Sequence, residues 1–399
     1  MTLDLTRVAS QIGEMITKLK SGSRERQEHL KYAMDKLCDS SVNFESLKRK
    51  IAGARTPNWS PALLFEGLSE RYSAPAAPFE YTALATDGSH IDVDRHKAAR
   101  CYLINTGIVA LHYGAAPAAE LESVPRLYSE EKDLVIRNEN NVRQEQQIRG
   151  ALLDAKRAVE ECRMLAEVAA GLPAERPVLA LMDGSLVMFG MQNYPDFVVR
   201  ELVDNGLIRA LDKLKDLSST RPLTAASYIS LPQSDDVVNV LRIAICPQEP
   251  VDCDRHCANG ESACDIISGV NDRALFGILL EPGERSALFI NPSDIVRKRY
   301  GVHTVYFFYL RLDDEIARVE IPEWVARNPE LVNMTHALVV DQCRRGHGYP
   351  VTLSEAHEKA VVTGADREQF WGLVDEALEE EKLPFNTSTK SRSKRTRWI

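Results

Sequence analysis

Two short apolar runs in this chain end in the same tripeptide, and that repetition limits the fold more than any other feature. Tyr81–His90 reads YTALATDGSH and Pro177–Leu186 reads PVLALMDGSL. Each run has the length and composition of a buried strand, and each meets Asp-Gly, a turn opener, so Asp87 and Asp183 are expected at strand ends. A carboxylate at such an end is held by rigid backbone yet reaches a cleft, and the glycine after it lets chain or a substrate phosphate pass close by. Two such ends side by side would present hard oxygen ligands suited to Mg²⁺ or Mn²⁺. Taken singly, Asp-Gly is no more than a turn signal.

Between the runs, Arg100–Ile104 and Ile108–Tyr113 read as strands, with Asn105-Thr106-Gly107 as a hairpin turn. A charged segment follows. From about Asn141 to Ala170 the pattern is helical, with Ile148, Leu152, Ala155, Val159, Cys162, Ala166 and Ala169 on one stripe, and Gly171-Leu172-Pro173 ends it. A helical crossover makes the strand after it parallel to its neighbour, so Asp87 and Asp183 are expected at the same end of adjacent strands. The remainder alternates: helix Pro195–Leu214, strand Ala226–Leu231, helix Asp235–Ile245, strands Ser286–Ile290, Val302–Arg311 and Ile316–Ile321, then helices near Pro329–Arg344, Ser354–Val362 and Asp366–Lys382. The expected fold class is α/β, a mixed sheet flanked by helices.

Ahead of this, residues 1–55 read as a helical arm. Val8, Ile12, Met15 and Leu19 recur at three and four, and after Ser21-Gly22-Ser23 so do Leu30, Ala33 and Leu37. The pair is either a dimerisation or docking arm or a helical hairpin lying on the chain's own core. Thr56–Pro78, broken by Pro57, Pro61, Pro75 and Pro78, is an irregular connector.

With 399 residues, 44% hydrophobic and 27% charged, the chain can bury a substantial core. It has no run of the ~18 apolar residues needed to span a bilayer and no signal-like start, so a cytoplasmic location without a membrane is expected. A net charge of −9 argues against a protein that coats nucleic acid unspecifically, though not against a nuclease with acids gathered at a metal. Eight cysteines without a secretion signal read as thiols or metal ligands.

Further motifs, in order, carry a resemblance: Asp87-Gly88-Ser89, Asp183-Gly184-Ser185-Leu186, Tyr228-Ile229-Ser230 with Pro232 and Ser234, Arg318-Val319-Glu320-Ile321-Pro322, and Gly348-Tyr349-Pro350 followed by Ala356-His357-Glu358-Lys359-Ala360. Together they resemble the NurA family over residues 79–383. The resemblance implies an RNase H-like nuclease fold and a Mn²⁺- or Mg²⁺-dependent 5′→3′ exonuclease and endonuclease on DNA. It also implies a homodimer docked on the hexameric ATPase HerA for end resection in double-strand-break repair. It carries the family's aspartates onto Asp87 and Asp183, its tyrosine onto Tyr349 and its histidine onto His357. The family's helix glutamate falls on Glu160 or Glu161. Glu161 shares a face with Ala158, Leu165 and Val168 and is chosen, because Glu160 shares one with Lys156, Arg163 and Glu167 and reads as solvated. Asp87, Glu161, Asp183 and His357 are thus the expected metal ligands.

Three features depart from that pattern. Where relatives carry basic residues, this chain has Leu231-Pro232-Gln233-Ser234-Asp235-Asp236, which leaves Arg285, Arg297, Lys298 and Arg299 as candidates to grip the DNA backbone. The tail 384–399 holds Lys390, Arg392, Lys394, Arg395, Arg397 and Trp398, a basic run expected to be disordered that is suited to DNA or a partner. Finally, the insertion 246–270 gathers Cys246, Cys253, Cys257 and Cys264, with His256 among them. These thiols either hold Zn²⁺ or an iron–sulfur cluster, form a redox disulfide, or are unrelated. The functional alternatives are therefore a nuclease, a nuclease-fold scaffold without catalysis, and a nuclease governed by the cysteine loop.

Overall fold

The computed structural model of the chain describes residues 4–39, 43–56, 59–94, 97, 99–257, 260 and 262–383. The basic tail therefore lies outside the described residues. Contacts divide the chain into two units. The first comprises the described residues of Met1–Ala74, Ile229–Ser293 and Tyr306–Val319, and the second those of Pro75–Tyr228, Asp294–Val305 and Glu320–Ile399.

The second unit is built on five neighbouring strands of a larger mixed sheet. These strands are β1 (Tyr81–Ile91), β2 (Tyr102–Tyr113), β3 (Ala118–Tyr128), β4 (Val178–Asp183) and β5 (Leu223–Ile229). They are ordered β5-β4-β1-β2-β3. The β1, β2 and β3 strands form an antiparallel meander, while β1, β4 and β5 are parallel. Strands β4 and β5 are buried on both faces along nearly their whole length, with Thr224 and Ser227 among the buried residues. Helix α1 (Ala151–Gly171) makes the crossover from meander to β4, burying Leu152, Val159, Cys162, Ala166 and Ala169 in the core as their spacing predicts. It begins later than its periodicity suggested, because 135–147 form a separate two-stranded hairpin.

The expected turn at Asn105-Thr106-Gly107 does not exist. Those residues lie inside the 12-residue strand β2, where Gly107 stands directly opposite Asp87. Helices α2 (Pro329–Arg345) and α3 (Val351–Ala360) follow in the chain, and α3 packs across β1 and β2. Asn105 donates from Nδ2 to the carbonyls of Lys359 and Ala360 at 3.1 and 2.9 Å, taking up orphan groups at the helix end. A Cβ at position 107 would stand 2.2 Å from the Ala356 carbonyl oxygen. The glycine that resembles a turn signal is a seat for the helix.

In the first unit, helices Leu5–Ser21, Ser23–Leu37 and Phe44–Ala52 precede helices Asp236–Ile245 and Asp272–Leu279. Short strands pair antiparallel, Leu63–Leu64 with Phe289–Ile290 and Arg71–Ser73 with Glu284–Ser286. The expected apolar seam between the first two helices is only half formed. Ala33 and Leu37 enter the core, whereas Ile12, Met15 and Leu19 on the first helix stay exposed. The strand expected at Ser286–Ile290 is broken into two pieces, Glu284–Ser286 and Phe289–Ile290. Asp272, fully buried, accepts backbone N–H groups of Val237 and Val238 at the start of a helix, and the Tyr309 hydroxyl at 2.6 Å.

Candidate active site

Five side chains singled out in the sequence come together in the second unit. Thr86 is paired with Met182 in the parallel register of β1 and β4, so the residues that follow, Asp87 and Asp183, stand side by side. Asp87 Oδ2 lies 2.8 Å from His357 Nδ1, and Asp87 Oδ1 accepts the Gly88 N–H at 2.8 Å. Asp183 Oδ1 accepts the Tyr349 hydroxyl at 3.0 Å. The Tyr349 ring stands edge-on to Tyr228, centroids 5.4 Å apart, and Gly184 donates its N–H to the Tyr228 carbonyl. His357 is 64% exposed while Asp87 is 13% exposed, so the histidine forms the open wall of the site.

Glu161 reaches the site from α1. The Thr86 hydroxyl donates to its backbone carbonyl at 2.9 Å, and Arg157 Nη1 donates to its carboxylate at 2.7 Å. Glu160 points elsewhere, as expected, but it is not solvated. It is 7% exposed and sits between Lys156 at 2.7 Å and Arg163 at 2.5 Å, so its charge is matched by two cations. Glu161 has one cation, and that one is shared. Arg157 also donates to the Gly88 carbonyl at 2.7 Å and lies 3.9 Å from Asp87 Oδ1.

This imbalance sets the electrostatics. Burial, with Asp87 and Asp183 nearby, pushes the Glu161 carboxyl up to about 8 against the pull of Arg157. Asp183 is also raised, by burial and then by Asp87, although the Tyr349 hydroxyl and the Gly184 N–H oppose the shift. Tyr349 is held far above the ordinary phenol range by burial and by Asp183. Three carboxylates crowded together with one shared arginine form a site short of positive charge. Their hard oxygens, with one imidazole, suit Mg²⁺ or Mn²⁺. As the side chains stand, no group of three His, Cys, Asp or Glu among the described residues is already gathered for an ion, and His357, Tyr349 and Arg157 each hydrogen-bond a carboxylate of the site.

Two residues at the site, Arg157 and Glu320, are given no role by the sequence reading, although Glu320 stands in one of its motifs. Arg157 lies one helical turn before Glu161, and this i, i+4 spacing is a signal that can be read. Glu320 is 1% exposed and accepts the Ser185 hydroxyl at 2.8 Å and the Leu186 N–H at 2.9 Å, fixing the turn after Asp183. Its partners lie 134 and 135 residues away, beyond any local pattern.

Of the four cations offered as a backbone grip, Arg285 is withdrawn from the surface, while Arg297 and Lys298 stay exposed in surface ion pairs. Arg285 is 4% exposed, 3.4 Å from Glu66 and stacked on Tyr72. Arg297 and Lys298 both pair with Asp294, and Arg299 pairs with Asp196 and Asp204. Each of these cations is already engaged by the chain's own carboxylates.

Comparison with known proteins gives a family match. A family model described as the NurA domain matches residues 81–362. Among solved structures, one described as a crystal structure of NurA with manganese is similar at 12% identity and a TM-score of 0.32, covering 92% of this chain and 97% of that one. Another, the native protease–reverse transcriptase of prototype foamy virus, is similar at 14% identity and a TM-score of 0.21, covering 39% of this chain and 19% of that one. No curated protein matches the sequence. Among the described residues no helix is long and apolar enough to cross a membrane.

Proposed function

The chain belongs to the NurA family, with which a nuclease-type role goes, and on that premise we propose that it is a metal-dependent deoxyribonuclease whose site is Asp87, Glu161, Asp183, Tyr349 and His357. The observation that carries this reading is the juxtaposition of Asp87 and Asp183 on parallel strands, with the under-compensated Glu161 beside them. Asp87, Asp183, Glu161 and His357 would hold Mn²⁺ or Mg²⁺. When bound, such ions activate water and neutralise charge on the phosphate and the leaving oxygen. The chain's own groups do the rest. Tyr349 holds Asp183 by its hydroxyl and can pass that hydrogen bond to a phosphate oxygen. His357, open to solvent and bonded to Asp87 through Nδ1, has one ring nitrogen left, which either completes the metal site or gives a proton to a leaving oxygen. Arg157 holds Glu161 and Gly88 and keeps the helix and strand at a fixed separation.

The finer role follows the family. The fold is read as RNase H-like, the activity as 5′→3′ exonuclease and endonuclease, and the protein as a cytoplasmic homodimer that works with a HerA-type hexameric ATPase in resecting broken DNA ends. The test is degradation of 5′- and 3′-labelled linear DNA with Mn²⁺, Mg²⁺ or EDTA, comparing the wild type with Asp87→Ala and Asp183→Ala. We expect metal-dependent loss of label by the wild type, reduced by roughly a hundredfold or more in both variants. A wild type that binds DNA yet stays inert with the ATPase present would make the protein a scaffold instead.

A further inference from the structure

The four cysteines of the insertion belong to the first unit and take no part in the site above. Cys246 follows the helix Asp236–Ile245, Cys253 opens the short helix Cys253–His256, Cys257 closes it, and Cys264 lies in the turn Ala263–Ile267. All four are half-buried, and none of the chain's eight cysteines is in a disulfide. They line one cavity of about 170 Å³ together with His256, Trp59 and Arg242. Cys253 is within electrostatic reach of the other three: burial first, and then the thiols of Cys257, Cys264 and Cys246, push its thiol up to about 11. The loop is anchored on both sides of Cys253. Arg55 and Asp252 form a β-bridge, and Asp252 caps the short helix by accepting the Arg255 N–H at 3.1 Å. Lys50 donates to the Cys246 carbonyl at 2.5 Å.

We propose that Cys246, Cys253, Cys257 and Cys264 are the ligands of a thiolate-bound metal centre, either a zinc ion or an iron–sulfur cluster. Four cysteines from three successive elements lining one cavity are the donor set that soft metals select, and such convergence on hydrophobic packing alone has no evident purpose. The four cysteines line the cavity, and no three His, Cys, Asp or Glu among the described residues are already gathered on a point, so binding would draw the thiols together. The cavity exceeds the ~30 Å³ share of one water several times over, so it has room for an inorganic core as well as for a single ion with the thiols drawn inwards. Binding exchanges each thiol proton for a metal–sulfur bond and releases the protons to solvent. Arg242, beside the cavity, and Lys50, at the Cys246 carbonyl, offset part of the resulting negative charge.

The experiment is elemental analysis, labile-sulfide assay and visible absorption of the full chain purified without oxygen. Cys253→Ser and Cys264→Ser are compared with Cys38→Ser, an exposed cysteine outside the insertion, and with the Asp87→Asn/Asp183→Asn double variant. We expect either one zinc per chain in a colourless protein, or iron and labile sulfide in equal amounts in a brown one. The metal should be retained in Cys38→Ser and in the double aspartate variant and lost in the other two. Circular dichroism establishes that each variant is folded. If a variant fails to fold, counting thiols that react in the native wild type replaces it: the four insertion thiols should be protected until a chelator is added. Absence of metal after purification and after reconstitution with Zn²⁺ or with Fe²⁺ and sulfide overturns the proposal, as does metal that persists in the cysteine variants. Neither outcome depends on nuclease activity.

Discussion

Asp87-Gly88-Ser89 runs through an 11-residue strand, whereas Asp183-Gly184-Ser185 ends a six-residue one. In the first copy the glycine is extended and paired with Thr106, and a Cβ there would stand 2.5 Å from Glu161 Oε1 and 3.0 Å from Arg157 Cγ. In the second the glycine has φ +78° and nothing within 4 Å of where its Cβ would be. One glycine makes room for a neighbouring carboxylate, and the other lets its own backbone turn. The serines differ as well, for Ser185 donates to Glu320 while Ser89 pairs in the ladder opposite Asn105. Identical tripeptides thus place two aspartates side by side by different physical means.

That contrast can be broken by substitution. Gly88→Ala should have the largest effect. The methyl must displace Glu161 or Arg157, so we expect about 1–3 kcal/mol of destabilisation in denaturant unfolding and a loss of DNA cleavage approaching that of an aspartate variant. Gly184→Ala should cost only about 1–2 kcal/mol for its left-handed backbone, with cleavage changed far less. Equal losses of cleavage in the two would show that the glycines are equivalent after all. Glu320→Ala sharpens the comparison next, because it strips the partner from Ser185 and Leu186 and touches only the second copy. A penalty of about 1–3 kcal/mol is expected in thermal melts. Tyr349→Phe should be the mildest, removing one hydrogen bond to Asp183 at about 1 kcal/mol, with metal affinity by calorimetry shifting less than in Glu320→Ala.

Much of the site was legible because it rests on long-range consequences of simple patterns. Two apolar runs separated by a helix imply parallel neighbours, and that register does set Asp87 beside Asp183, although Asp87 lies inside its strand and not at the end expected for it. Glu161 was separable from Glu160 by helix geometry alone, although Glu160 proved buried rather than solvated, because Lys156 and Arg163 bring their charges in with it. The errors share a cause. Asn105-Thr106-Gly107 has turn chemistry, but its polar amide serves a helix end contributed by residues 359 and 360, which local sequence does not reveal. Similarly, β3 is exposed along nearly its whole length, so it carries no alternation of apolar and polar residues to mark it as a strand. Arg285, offered as a DNA contact, proves buried against Glu66, a partner 219 residues away that local sequence does not reveal.

The helix seat at Gly107 has one more consequence. Since Gly107 is the residue directly opposite Asp87, the helix bearing His357 rests on bare main chain at the point where the aspartate's own strand is paired. The distance from helix backbone to strand backbone is therefore gauged by the thickness of a peptide chain, and the side chains of His357 and Asp87 span what is left. A single methyl group at position 107 would act as a shim, lifting His357 from Asp87 without replacing any residue of the site.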